Sequence, residues 1–227
     1  MKLFFGNSLW QLVSHSDAVT KLIMIGLLIA SIVCWTIVFY KTNALRAKFK
    51  EINETLKQLR TLHSIEQINH FAQTIKTTYS GYLLTHQIAA VKKYVHGTAQ
   101  PTERQVALLD EIRFSLVDDM VQDEQQHLSL LSVTAAVAPL VGLFGTVWGL
   151  THAFLSISEK QGADIATVAP GIAEALITTL AGLIVAVPAL IFYHYLQNKI
   201  DLLAYQLTKI SEHVHFLAQG FANENTL

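Results

Sequence analysis

One carboxylate stands alone in a long apolar stretch of this sequence. Between Asp164 and Lys199, Glu174 is the only Asp, Glu, Lys or Arg. A charged side chain near the centre of a bilayer costs about 2.5 to 3.5 kcal/mol on insertion scales, so such a residue usually faces a protein interior or water and marks an ion pathway. We therefore interpret Glu174 as a proton-carrying group rather than as a buried structural hydrogen-bonding residue.

Hydroxyl groups and small side chains occur at helical spacing around this carboxylate. Thr178 and Thr179 follow Glu174 closely, and Thr146 lies in a second apolar run that has no Asp, Glu, Lys or Arg from Gln125 to Ser158. Small residues spaced by three or four positions let helix backbones approach closely in lipid, and a Thr hydroxyl can also bond back to its own helix. We predict that the proton pathway contains Glu174, Thr146, Thr178 and Thr179. The predicted packing and pore-facing residues are Pro139, Gly142, Gly145, Gly149, Ala181 and Gly182.

The polar groups are predicted to lie at one depth in the membrane. At 1.5 Å per helical residue, Thr146 lies roughly 15 Å in from Ser156, and Glu174 and Thr178 lie roughly 10 and 16 Å in from Thr167. A short connection makes the two helices antiparallel neighbours, so the groups could form a ring in an oligomer. One copy has too little polar lining for a pore, and we therefore expect several subunits.

Composition and hydropathy indicate the elements that hold these residues. The chain is 52% hydrophobic and 15% charged, against about 25% charged in an average soluble domain. Three apolar runs, 19–40, 129–156 and 167–197, are long enough to cross the hydrocarbon core as helices. The first run has no small-residue cleavage site, so it is predicted to stay attached as an anchor.

The basic residues predict the orientation. Of the 16 Lys and Arg residues, 11 lie in segment 41–128, whereas the connection 157–166 holds only Lys160. By the positive-inside rule, 41–128 is then cytoplasmic. We predict a periplasmic N-terminal segment, 1–18, a periplasmic loop, 157–166, and a cytoplasmic C-terminal helix, 198–227.

The cytoplasmic segments are predicted to be helical. Apolar residues spaced by three and four positions predict that the first and third spans continue into the cytoplasm as long helices. A further helix from about Thr102, after the interruptions at Gly97 and Pro101, is predicted to run directly into the second span. We interpret its acidic residues Asp118, Asp119, Asp123 and Glu124 as a solvated face. The spaced apolar residues are Leu45, Phe49, Ile52, Leu56 and Leu59, and Ile200, Leu203, Leu207, Ile210, Val214, Leu217 and Phe221.

Several classes of function lack support in the sequence. The 16 basic and 17 acidic residues nearly cancel, and no basic block is interleaved with aromatics, so a nucleic-acid surface is not predicted. The single cysteine, Cys34, has no partner, and the histidines show no metal-ligand spacing. No nucleophile–base arrangement or phosphate-binding glycine loop occurs. We predict no metal, no cofactor and no enzyme activity.

Two longer motifs are similar to the paired signatures of the MotA/TolQ/ExbB proton channel family. They are 142–149, GLFGTVWG, and 168–176, VAPGIAEAL. The resemblance implies an all-α integral protein of the bacterial inner membrane that forms a homopentameric ring. It also implies a dimer of a single-span TolR-like or ExbD-like subunit in the pore, proton flow that drives its movement, and a TolA-like or TonB-like protein that transmits the work. The positions of Glu174, Thr146 and Thr179 match the channel-lining residues of the family.

Within the family, a stretch near the N-terminus and a stretch that begins at the end of the first motif resemble TolQ more than ExbB. These stretches are 17–24, DAVTKLIM, and 148–154, WGLTHAF. Thr151 departs from the Met expected there, and MotA differs because it has four spans. The expected function is therefore energy coupling in a Tol-Pal complex, which serves envelope integrity and cell division. An ExbB-type role in TonB-dependent import is the alternative, and a passive membrane scaffold is the rival from another class.

Overall fold

A computed structural model describes residues 17–95, 102–160 and 165–224, with side chains for 17–94, 102–155 and 168–217. The regular structure in these ranges is entirely α-helical, as predicted. Most of the predicted N-terminal segment, Gly97, Pro101, the centre of the 157–166 loop and the side chain of Phe221 lie outside the described residues. We number the helices α1 (Ala18–Leu59), α2 (Ile65–Thr74), α3 (Tyr79–Val95), α4 (Glu103–Gln125), α5 (Leu128–Lys160) and α6 (Ile165–Glu224).

Three of these helices are long and apolar enough to cross a membrane. The candidate spans fall in Ala18–Leu59, Leu128–Leu155 and Val168–Leu217. Their outward surfaces are strongly apolar: Leu22 is 72% exposed and Leu140 and Ile184 are each 63% exposed. A soluble monomer rarely exposes continuous apolar surface of this kind. The exposed side chains are therefore suited to lipid.

The chain forms two compact units. The span unit comprises Met1–Phe39 and His127–Tyr195, and the charged unit comprises Tyr40–Gln126 and Leu196–Leu227. In the span unit, α1, α5 and α6 share a small core. Its buried members are Ile23, Leu27, Ala138 and Ala186, with Val19, Val141, Ala181 and Val185 packed around them.

The charged unit is built around the spaced apolar residues of α1 and α6. Leu45, Ile52 and Leu59 of α1 are at most 2% exposed. The α6 residues from Leu196 to Val214 at the predicted spacing are equally buried. Gln206 of α6 donates to the side-chain oxygen of Asn53 of α1 at 3.3 Å, so the two segments are neighbours. The period of three and four thus marks a helix packed along another helix. The α6 set is Leu196, Ile200, Leu203, Leu207, Ile210 and Val214.

The helix that begins after Thr102 does not run directly into the second span. It ends at Gln125, and the next helix begins at Leu128. His127 between them has a φ of 69°. A residue in the left-handed region cannot continue a right-handed helix, which explains the break. No glycine marks this position, so the break could not be predicted from the sequence.

The interpretation of the acidic residues of α4 as a solvated face is wrong for Glu124. Asp118, Asp119 and Asp123 are exposed, but Glu124 is buried. Its carboxylate pairs with Lys41 at 3.6 Å. Lys48 pairs with the same carboxylate. These two lysines of α1 therefore neutralise a carboxylate that would otherwise be costly to bury.

Candidate functional site

The glycines of α5 and α6 lie at a close contact between these two helices. A Cβ atom on Gly182 would come within 2.5 Å of the Ala138 carbonyl oxygen, and one on Gly142 within 2.8 Å of the Thr178 carbonyl oxygen. Towards the other end, Gly149 meets Ala175. As the residue numbers of the contact positions increase along α5, those of their partners on α6 decrease, so the helices are antiparallel. The two small-residue stripes thus meet within a single chain, and these glycines lie in the contact between the two helices.

The hydroxyl groups of α6 are directed at one carbonyl group of α5. Thr178 and Thr179 place their hydroxyl oxygens 3.0 and 3.1 Å from the carbonyl oxygen of Gly142. Thr178 also lies 2.7 Å from the carbonyl oxygen of Ala175 on its own helix and is fully buried. Both groups therefore have acceptors inside the chain, and Thr178 is part of the helix contact.

Thr146 is buried as well, at 8% exposure. Its hydroxyl donates to the carbonyl oxygen of Leu143 at 2.7 Å, within its own helix. Two more of the predicted packing residues are Pro139 and Ala181. Pro139 is a half-buried residue inside α5, and Ala181 packs against the core that contains Ile23 and Leu27.

Glu174 differs from the threonines because its carboxylate lacks a partner in the described part of the chain. It is half-buried and immediately precedes Ala175, the residue in contact with Gly149. Neither a hydrogen bond nor an ion pair joins it to any described residue. A carboxylate at this depth in a membrane needs a partner or water.

Glu174 and Thr179 lie on opposite sides of the α5–α6 contact. Five positions separate them, which is about 140° around a helix of 3.6 residues per turn. Thr178 and Ala175, which face α5, lie between them. The sequence predicted that the carboxylate and the hydroxyls share a depth in the membrane. A shared depth does not place them together, because they lie on different sides of the line along which α5 and α6 touch.

The same geometry assigns residues of α5 to the two sides. In an antiparallel pair, residues that precede contact points lie on one side, and residues that follow them lie on the other. Trp148, which precedes Gly149, is thus on the side of Glu174, and Thr146, which follows Gly145, is on the side of Thr179. We call these the carboxylate side and the hydroxyl side.

Helix α1 covers part of the carboxylate side. Val141 and Ala181, each one position before a contact glycine, pack against the core formed with Ile23 and Leu27 of α1. At the start of α1, Asp17 accepts a hydrogen bond from the indole nitrogen of Trp148 at 2.9 Å. In the sequence, Asp17 stood out only as part of a stretch that resembles TolQ. Its contact with Trp148 was not predicted, since nothing in the sequence pairs positions so far apart.

No group of three His, Cys, Asp or Glu side chains that could hold a metal ion occurs among the residues with described placement.

Comparison with known proteins adds to this geometry. The model of the MotA/TolQ/ExbB proton channel family matches residues 87–209, which include Thr146, Glu174 and both motifs. The chain is 32% identical over 197 residues to the biopolymer transport protein ExbB of Salmonella typhimurium, covering 85% of this chain and 79% of the relative. It is 32% identical over 202 residues to the Tol-Pal system protein TolQ of Pseudomonas aeruginosa, covering 87% and 86%. The chain belongs to the MotA/TolQ/ExbB proton channel family.

Membership in the MotA/TolQ/ExbB family confirms the resemblance stated from the two motifs. Together with the three apolar helices, it indicates a multi-pass protein of the inner membrane and a channel subunit rather than an enzyme. Relatives named ExbB and TolQ match at the same identity. A TolQ of Haemophilus influenzae is 29% identical over 195 residues, which are 82% of each chain.

Proposed function

We propose that this protein is the proton-conducting subunit of an inner-membrane energy-coupling complex, and that Glu174 is its proton carrier. The observation that supports this most directly is the carboxylate of Glu174 without a partner among the described residues. A structural hydrogen-bonding carboxylate would have its partner inside the chain. A proton carrier must be able to form hydrogen bonds with water, with hydroxyl groups or with another subunit at successive steps of proton transfer.

The energetics agree with this role. Moving one elementary charge through 100 mV releases about 2.3 kcal/mol, so a few protons are enough to drive a helix shift or rotation against a modest load. To stabilise the charged form of Glu174, Thr146 and Thr179 would turn their O–H groups from the carbonyl oxygens of Leu143 and Gly142 to the carboxylate. Thr178, whose hydroxyl lies against two carbonyl oxygens, would hold the helix contact that keeps the pathway in place.

The proposal requires several copies of the chain. Glu174 and the hydroxyls of Thr146 and Thr179 lie on opposite sides of the α5–α6 contact, so we propose that the hydroxyl side of one copy meets the carboxylate side of the next. The family implies a homopentamer around a dimer of single-span TolR-like or ExbD-like subunits. In this arrangement an acidic side chain of the central subunit would exchange protons with Glu174.

We further propose the orientation predicted from the basic residues, with the N-terminus in the periplasm and the C-terminus in the cytoplasm. The connection near residues 157–166 is then periplasmic, and the charged unit is cytoplasmic.

A Tol-Pal role is the preferred assignment within the family. The stretches 17–24 and 148–154, which resemble TolQ, support it, and Asp17 and Trp148 in these stretches are in direct contact. The complex would couple the proton motive force, through a TolA-like protein, to envelope integrity and cell division. An ExbB-type role with a TonB-like protein is the alternative, supported by the equal identity to ExbB of Salmonella typhimurium.

Replacement of Glu174 tests the proposal. Glu174→Gln keeps the size and removes the charge, so it should assemble and co-purify with the single-span partner but support no activity. Glu174→Asp should be partly impaired because the shorter carboxylate misses its partners, and Thr146→Val should be weakened. Activity would be measured as detergent resistance of a strain with the variant gene in place of its own. A passive scaffold predicts full activity of Glu174→Gln at normal protein levels, and that result would overturn the proposal.

A further inference from the structure

A second pair of titratable groups lies at the end of the span unit where α1 begins. Asp17 immediately precedes α1, and its carboxylate accepts the indole N–H of Trp148 on α5 at 2.9 Å. His152 lies one helical turn beyond Trp148, on the same side of α5, and its side chain is exposed. The Trp148 hydrogen bond, with a smaller contribution from His152, lowers the pKa of Asp17 below its usual value.

These groups share the side of the bundle on which Glu174 lies. Trp148 and His152 precede the contact residues Gly149 and Ala153, and Glu174 precedes Ala175. All three are therefore on the carboxylate side. Since Gly149 touches Ala175, Trp148 and Glu174 are at nearly the same level along the helix pair. Asp17 is held at this level by its hydrogen bond to Trp148.

Beyond Glu174, the described residues of the carboxylate side that pack against α1 are apolar. Further along α6, Ala181 and Val185 are on the same stripe as Glu174, and they pack against the core of Ile23 and Leu27 from α1. This apolar contact offers no polar group to a proton. The described titratable side chains that share this side with Glu174 therefore lie at the end that holds Asp17 and His152.

We propose that Asp17 and His152 form a proton-collecting site at the entrance to the pathway and pass protons to Glu174. The inference rests on the proposed function of Glu174 and on the predicted orientation, which places this end in the periplasm. The imidazole of His152 takes a proton from bulk water. The Asp17 carboxylate stabilises the imidazolium, which then releases the proton through water to the carboxylate of Glu174 and returns to neutral imidazole.

The other charged side chain described at this end is that of Lys21, on α1 one turn after Asp17. Its positive charge attracts carboxylates and repels protons. A plain interfacial anchor is the alternative reading of Trp148, because indole rings are common at membrane surfaces. An anchor usually gives its N–H to water or a lipid head group. Here the N–H binds a carboxylate, and this orients Asp17 towards α5 beside a second titratable side chain.

Three substitutions separate proton collection from structure. Asp17→Asn keeps an oxygen that can accept the Trp148 hydrogen bond but removes the titratable carboxyl. Trp148→Phe removes the donor and keeps the carboxyl. His152→Gln removes the imidazole and keeps polarity. Each would replace the chromosomal gene, and detergent resistance would be measured at external pH values of about 6 and about 8, on either side of the ordinary histidine pKa.

Collection of protons matters most where protons are scarce. Asp17→Asn and His152→Gln should therefore move the alkaline loss of activity to lower external pH by about one unit, with activity near wild type at the acidic value. Trp148→Phe should change activity by the same factor at both values. Equal losses at both values for Asp17→Asn and His152→Gln, or no loss at all, would overturn the inference. If Glu174→Gln were inactive in the same strains, the proposed function would stand while this inference failed.

Discussion

The hydroxyl oxygen of Thr178 lies 3.0 Å from the carbonyl oxygen of Gly142, across the contact between α6 and α5. The neighbouring Thr179 reaches the same carbonyl at 3.1 Å. This carbonyl group thus joins the polar residues of one helix to the small-residue stripe of the other. The close approach is possible because Gly142 and Gly182 have no side chains there.

The glycine contact should tolerate no added methyl group. Gly182→Ala would place a Cβ within 2.5 Å of the backbone oxygen of Ala138, which cannot move aside as a side chain can. We expect a loss of about 1 to 3 kcal/mol in the free energy of unfolding, as for other overpacked cores. The matched control is Gly26→Ala, since Gly26 has nothing within 4 Å. This control should be neutral or slightly stabilised because Ala favours a helix.

Far-UV circular dichroism during thermal unfolding of the purified protein in detergent would compare the two alanine variants. If Gly182→Ala unfolded at the temperature of Gly26→Ala, the α5–α6 contact within one chain would be in error.

The hydroxyl of Thr178, whose single proton is shared between the carbonyl oxygens of Gly142 and Ala175, should contribute to stability rather than to proton transfer. Thr178→Val keeps the shape but removes the donor to Gly142 and Ala175, so we expect a loss of about 0.5 to 1.5 kcal/mol. Thr178→Ser keeps the hydroxyl and should retain most of this energy. Thr151→Val is the control, because the Thr151 hydroxyl is exposed and bonds only to Val147 of its own helix at 2.8 Å. An equal effect of the Thr178 and Thr151 substitutions to Val would contradict the role assigned to Thr178.

Hydropathy and helical period predicted much of this fold. The apolar runs predicted the spans, and the spacing of residues such as Ile52 and Leu207 predicted the buried faces of α1 and α6. Glu174 was selected from the sequence because a lone carboxylate in an apolar run is costly, and its role as a proton carrier stays a prediction. The short connection predicted that the two helices are antiparallel neighbours, but small-residue stripes suit contact within a chain as well as between chains, so the sequence did not decide which contact they make. Glu124 was misjudged because its lysine partners are 76 and 83 residues away in the sequence.

Tyr79 makes the stability of the charged unit sensitive to alkaline pH. Its hydroxyl donates to the carbonyl oxygen of Met120 at 3.0 Å. Burial, followed by the nearby carboxylates Glu124, Asp123 and Glu51, raises the pKa of Tyr79 well above its usual value. The unfolded chain would release this proton at about pH 10, while the folded chain keeps it. Its contribution is therefore complete below about pH 10 and declines as the pH rises towards the folded-state pKa.

The absorbance of tyrosinate during an alkaline titration would show this behaviour. The difference between wild type and Tyr79→Phe should be a tyrosine that ionises after the others. Tyr79→Phe should also lower stability at neutral pH by about 1 kcal/mol, through loss of the hydrogen bond, and reduce the alkaline decline. Tyr205→Phe, at an exposed position, serves as the control. A difference spectrum that appeared at the ordinary tyrosine pKa would contradict the burial of Tyr79.

The buried carboxylate of Glu124 should be the most sensitive position of the charged unit. Lys41 and Lys48 both pair with it, and Lys41 also donates to its backbone carbonyl oxygen at 2.8 Å. Glu124→Gln leaves two cations near a buried amide, so we expect a loss of about 3 to 5 kcal/mol in the free energy of unfolding. Asp119→Asn, which removes an exposed carboxylate from the same helix, should change stability by less than about 0.5 kcal/mol.

Thermal unfolding in detergent would measure both, and the double variant Glu124→Gln/Lys48→Met would separate charge from shape. Removing one of the two unpaired cations should recover part of the loss, because the cost of Glu124→Gln comes mainly from charges left without a counter-ion. The Lys41 side chain, at 8% exposure, would still lack its carboxylate, so recovery should be incomplete. If the double variant were no more stable than Glu124→Gln, the loss of stability would come from packing around the side chain of Glu124. The ion pairs with Lys41 and Lys48 would then not be the main contribution of Glu124 to the contact between α1 and α4.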